Sequence, residues 1–167
     1  MAKERETVQM DFGIRVGAVV ERDGHILLVR HKKPDREPYW VLPGGRLEPG
    51  ETIPECAERE LAEEAQLEVR FSGVLYVSEF MRDSRHTVDV IVRAVPDEGA
   101  EPELGDDPEV EEGAEQTLTG LRWVSVEELD GIELLPNGVR NRLARDAGRG
   151  WPDAETDNGI YLGGGRD

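Results

Sequence analysis

Two runs rich in aliphatic and β-branched residues, 12–20 and 25–31, flank the dipeptide Asp23-Gly24. Such a dipeptide between apolar runs signals a tight β-hairpin. A shorter run, YWVLP at 39–43, reads as a strand closed by Pro43 and the pair Gly44-Gly45. From Thr52 onward the period changes. Ile53, Ala57, Leu61 and Ala65 recur every fourth residue and give one apolar stripe of a helix. Thr52 with Glu55 three residues on fits a capping box, and Pro54 falls in the first turn, where its missing N–H does least harm. Residues 67–77 and 87–95 read as two longer strands, and LRWVSVEEL at 121–129 as a strand running into a helical turn. A terminal helix is expected over 136–147, with Val139, Leu143 and Ala147 on one side. This order predicts an α/β (α+β) fold, a mixed β-sheet with helices packed on it.

Three segments break the pattern. Residues 1–11 are a polar lead-in. Between Asp97 and Glu115 stand ten acidic residues and no basic one, with three glycines and two prolines, so 96–119 is expected to be a long acidic loop. The tail, 148–167, is glycine-rich, and only Ile160-Tyr161-Leu162 has anything to pack. One domain over 12–147 is the expected organisation, long enough to bury a core.

Charge narrows the function. A net charge of −17 argues against a nucleic-acid partner, which would want a basic face to meet phosphate. No run approaches the roughly 18 apolar residues of a membrane span, and the first ten residues carry no apolar secretory stretch. A cytoplasmic location without a membrane partner is expected. The single cysteine, Cys56, allows no internal disulfide and reads as a small buried filler. His25, His31 and His86 fit no metal spacing.

Candidate chemistry concentrates in RELAEE, residues 59–64. Glu60 and Glu64 lie one helical turn apart and Glu63 flanks them. Like charges at this spacing repel by roughly 0.2–0.5 kcal/mol per pair. The cluster is either a solvated face or a seat for a hard cation, which takes carboxylate and phosphate oxygens.

The wider spacing favours the second reading. Gly45, five residues, Glu51, seven residues, then Arg59-Glu60-Leu61-Ala62-Glu63-Glu64-Ala65-Gln66-Leu67 resembles the Nudix box. Every fixed position is met except the one where Gln66 stands for the family's glycine. WVLPGG before the box and LRWVSVEEL late in the chain also have the look of the family, and the resemblance covers roughly 12–146.

The resemblance implies a Nudix-type α/β/α sandwich and a Mg²⁺-dependent hydrolase, with Mn²⁺ as an alternative ion. The bond cleaved would be a phosphoanhydride in a nucleoside diphosphate linked to another group. Glu60, Glu63 and Glu64 are then the metal ligands, with the Gly45 carbonyl, and Arg59 orients the glutamates. Glu63 and Glu64 take part in catalysis, with one glutamate taking the proton from water. Glu51 is either a support or a further ligand. A distal acid from the loop before Trp123 is expected, Glu115 or Glu112. Arg30, Lys32, Arg46 and Tyr39 are the candidate substrate contacts, although the basic stretch 30–36 reads equally well as a polar loop. The rival reading is a nucleotide-binding module without catalysis. The family also suggests a homodimer. Substrate markers known outside the box are not met: the proline and tyrosine positions fall on Arg82, Asp83, Ser84 and Arg85. The partner is thus a small nucleotide of open identity.

Overall fold

The computed structural model describes residues 10–34, 36–105, 118–147, 149–151 and 161–166. The hairpin forms as its dipeptide requires. Asp23 and Gly24 both take positive φ, 49° and 73°, the twist-compatible turn between β2 (Glu21–Arg22) and β3 (His25–Lys33). Ahead of it runs β1 (Asp11–Val19); after it come β4 (Arg36–Val41) and β5 (Gly44–Arg46). The helix expected from Thr52 is α1 (Ile53–Ala65), with both hydrogen bonds of the Thr52/Glu55 capping box in place.

Strands β6 (Val69–Arg82) and β7 (Arg85–Pro96) are longer than the apolar pattern alone suggests. They continue to a tight turn where Asp83 takes φ 51°. The chain then reaches β8 (Leu118–Ser125), a 3-10 turn at Val126–Gly131, the short β9 (Leu134–Leu135) and α2 (Asn137–Asp146). Tyr161–Arg166 forms a further strand, β10, parallel to β6. Its glycine-rich sequence carries no alternation that would announce it. Edge pairing rests on backbone groups, which glycine supplies as well as any residue.

The mixed sheet divides into two. One runs β10-β6-β7-β1-β5, with β1 parallel to β7 and antiparallel to β5. The other runs β2-β3-β4-β9, with β8 also paired to β3. Strand alternation feeds two cores on opposite faces. Val16, Ala18, Leu27, Val90 and Val92 pack with Ala57, Leu61 and Ala65 of α1. Val19, Ile26, Leu28, Tyr76 and Ile91 pack with Val139 and Leu143 of α2. The fold is an α/β/α sandwich with mixed sheets between its helices, and one edge of α1 is left beside the gap between the sheets. No helix among the described residues is long and apolar enough to cross a membrane.

Candidate active site

Glu60 and Glu64 leave α1 toward the same turn, Gly44-Gly45, and both are almost fully buried at 4% and 3% exposure. Burying two carboxylates this close demands partners. Glu64 Oε2 accepts the Gly44 N–H at 2.8 Å. Glu60 Oε1 accepts from Arg59 Nη1 at 2.7 Å. The same nitrogen donates to Glu63 Oε2 at 3.2 Å, while Nε and Nη2 of Arg59 grip Glu51 at 2.7 and 3.0 Å. One guanidinium therefore serves three carboxylates. The Arg59 bonds hold the Glu51 carboxyl down to about 2, well below its ordinary range, against the opposing effect of burial. Burial pushes the Cys56 thiol up to about 12, so it stays a neutral filler against the Gly45 and Arg46 carbonyls.

The turn is built for close approach. Gly44 has φ 144°, a region that L side chains rarely adopt, and a Cβ there would collide with the Val16 carbonyl. A Cβ on Gly45 would collide with the Glu60 carboxylate. Arg15 fixes the turn from the opposite side. Its Nη2 donates to the carbonyls of Leu42 and Gly44, both at 2.9 Å, and its Nη1 stands 3.9 Å from the buried Asp89. Burial raises the Asp89 carboxyl, with Arg15 opposing.

These groups border a cleft of about 330 Å³ between β1, β5 and β7 on one side and β3 and β4 on the other. Glu60, Glu64, Gly45, Arg46 and Tyr39 line it, as do Arg15, His31, Lys33 and Arg85. Arg30 and Lys32 are exposed and lie outside its lining, because alternation along β3 turns His31 and Lys33 inward instead. Glu63 is on the adjoining helical face with its side chain 32% exposed. Glu109, Glu111, Glu112 and Glu115 lie outside the described residues. His31 was not legible as part of this site from sequence. Its Nε2 is buried without a hydrogen bond, 3.5 Å from Glu64 Oε1. Arg15 carried one signal, a charge inside an otherwise apolar strand.

Gln66, the departure from the box, takes φ 48° and ψ 37° at the end of α1. A side chain in that left-handed position costs about 1 kcal/mol relative to glycine. Gln66 Nε2 donates to the Leu104 carbonyl at 3.2 Å, and the N–H groups of Glu103 and Gly105 cap the Ala65 and Glu64 carbonyls at 2.9 Å. The departure falls on the helix end, away from the carboxylates.

A sequence model of the NUDIX domain matches residues 11–145, most of the chain. The chain belongs to the NUDIX domain family. An ADP-ribose pyrophosphatase of Methanocaldococcus jannaschii is 37% identical over 95 residues, 56% of each chain. A mouse diphosphoinositol polyphosphate phosphohydrolase, 3-alpha, is 38% identical over 76 residues, 45% of this chain and 44% of its own. The chain thus spans about half the length of these curated relatives. A NUDIX hydrolase structure from Nitrosomonas europaea superposes with a TM-score of 0.68 over 95% of this chain and 81% of its own, at 20% identity, which speaks for the fold alone.

Among the described residues no three acidic, histidine or cysteine side chains converge as a finished metal cage. Arg59 draws Glu60 and Glu63 to itself, and the Gly44 N–H holds Glu64. The donor set nonetheless fits a hard divalent ion: its groups are all oxygen, and two of its carboxylates, Glu60 and Glu64, are buried side by side.

Proposed function

We propose that the chain is a Mg²⁺-dependent pyrophosphohydrolase acting on nucleoside diphosphate derivatives. The observation that carries this reading is the burial of Glu60 and Glu64 side by side on a glycine turn at the end of a cleft. Such burial is costly for a solvated acidic face and useful for a cation seat. Glu60, with Glu63 beside it and Glu64 across the turn, would hold the ion. Bound there, Mg²⁺ supplies charge neutralisation to a diphosphate and acidifies a water.

The chain's own residues supply the rest. The glycines at 44 and 45 leave room for the diphosphate to approach the carboxylates. Arg15 and Arg59 keep the turn and the helix in register from opposite sides. Glu64 Oε1, facing the cleft near His31, is the oxygen we assign to receive the proton of the attacking water. ADP-ribose, nucleotide sugars and nucleoside triphosphates are the first substrates to try.

The test is phosphate and pyrophosphate release from a panel of these compounds, dinucleoside polyphosphates and NADH, with Mg²⁺ or with EDTA. Turnover is expected only with Mg²⁺, and it is expected to be lost in Glu60→Gln and Glu64→Gln. Turnover that ignores both the metal and these substitutions would overturn the reading.

A further inference from the structure

The end of the cleft away from Glu60 and Glu64 is positively charged in a strongly acidic chain. Arg46 lies across Gly13, where a Cβ would stand 3.0–3.1 Å from its Nη2, Cζ and Nε atoms. It is anchored by Asp11 Oδ1 at 3.1 Å and the Phe12 carbonyl at 2.8 Å. Arg85 Nε approaches the other Asp11 oxygen at 3.5 Å. Lys33 adds a third cation from β3. Two arginines thus share one carboxylate, and a lysine lines the same cleft. Arg85 faces Asp11 across β1 and β7, five residues along β1 from Val16, the partner of Gly45. Arg46 joins the two ends: it leaves β5 beside the glycine turn and sets its guanidinium over Gly13, three residues or about 10 Å along β1 from Val16.

The same cleft is poor in stacking surface. Tyr39 is the one phenol or indole ring among its described lining residues, and it is only 9% exposed. The Arg36 guanidinium lies 4.5 Å over that ring, and His31 stacks on it with 22° between planes. A base held by stacking needs an open aromatic face, and Tyr39 offers little of one. Recognition of the non-reacting half of the substrate therefore falls to charge. Arginine forks match phosphate oxygens two at a time.

We propose that the cleft takes a diphosphate compound whose non-reacting half bears a further phosphate, seated on Arg46, Arg85 and Lys33. The proposal rests on the reading of Glu60 and Glu64 as the hydrolytic end and names the substrate class of that site. Matched pairs differing by one phosphate test it: coenzyme A against dephospho-coenzyme A, and NADPH against NADH. With Mg²⁺, kcat/KM is expected to be at least about tenfold higher for the phosphorylated member, with the difference carried by KM. The ratio is expected to fall at raised salt, and toward one in Lys33→Ala, Arg85→Ala. Calorimetry on the same pairs with Ca²⁺ in place of Mg²⁺ reads binding independently of turnover.

Preferential binding without hydrolysis would support the basic seat while removing the hydrolytic reading. Hydrolysis without preference would do the reverse. Equal affinity, no binding by either member, or a preference that survives the double substitution would overturn the proposal.

Discussion

Two buried acidic centres sit on opposite faces of this sandwich, and they are balanced in opposite ways. On the α2 face Asp146 accepts from the Tyr76 hydroxyl at 2.7 Å, Arg142 Nε at 2.7 Å and Arg145 Nε at 2.9 Å. One carboxylate has three donors, two of them cationic. Burial alone would raise its pKa, and the three bonds outweigh that and lower it. On the α1 face, among the described residues, Arg59 serves Glu51, Glu60 and Glu63, while Glu64 accepts the Gly44 N–H and has His31 Nε2 at 3.5 Å. The first centre is a structural knot. The second gathers several carboxylates around one guanidinium, the arrangement that the proposed cation seat calls for.

This difference sets what substitution should do. The largest contrast is between Glu64→Gln and Asp146→Ala. Glu64→Gln is expected to cost roughly 10²–10⁴-fold in kcat with unchanged or slightly higher thermal stability, since it removes a buried charge. Asp146→Ala removes the acceptor shared by Tyr76, Arg145 and the partly buried Arg142 and is expected to cost about 3 kcal/mol of stability, with kcat per folded molecule within about twofold. Steady-state kinetics and chemical denaturation on both variants would break the comparison if the effects were exchanged.

Next in size is Arg59→Met. It leaves three carboxylates without their shared cation, and a loss of about 3 kcal/mol is expected in EDTA. Added Mg²⁺ should restore part of this loss, which denaturation with and without the metal would show. An equal loss in both conditions would mean that no cation can stand in for the guanidinium.

Acid sharpens the comparison further. Glu51 has a depressed carboxyl, so its contribution is fully present above its unfolded value of 4.5 and is lost as pH falls through about 2. The stability gap between the wild type and Glu51→Gln should therefore hold near neutrality and close across that window. A gap that widens as pH falls would give the shift the wrong sign. The smallest effect is expected at Gln66→Gly. Relief of the left-handed strain, about 1 kcal/mol, is offset by loss of the bond to Leu104 and by greater freedom of the unfolded chain. Denaturation midpoints should differ little, and kcat should not change.

Much of the α1 face was legible in the sequence, because its signals are local. Thr52, Glu55 and Pro54 mark the helix start, the fourfold apolar recurrence marks its buried side, and the spacing from Gly45 to Leu67 marks the family. What escaped was long-range. Arg15 meets the Gly44 carbonyl from 29 residues away, and nothing near Arg15 in the chain announces that. Whether Arg30 and Lys32 or His31 and Lys33 enter the cleft depends on which face of β3 the other sheet covers. The knot at Asp146 joins Tyr76 on β6 to α2 across 70 residues, and β10 pairs through backbone alone.

The central claim is that the α1 centre takes up a divalent cation. Isothermal titration of Mn²⁺ into the wild type and into Glu60→Gln, Glu64→Gln tests it most directly, with Asp146→Asn as the contrast from the other face. A saturable binding event is predicted in the wild type and in Asp146→Asn, and its loss in the double variant. Equal binding in all three proteins would place the metal on the general acidic surface and contradict the account.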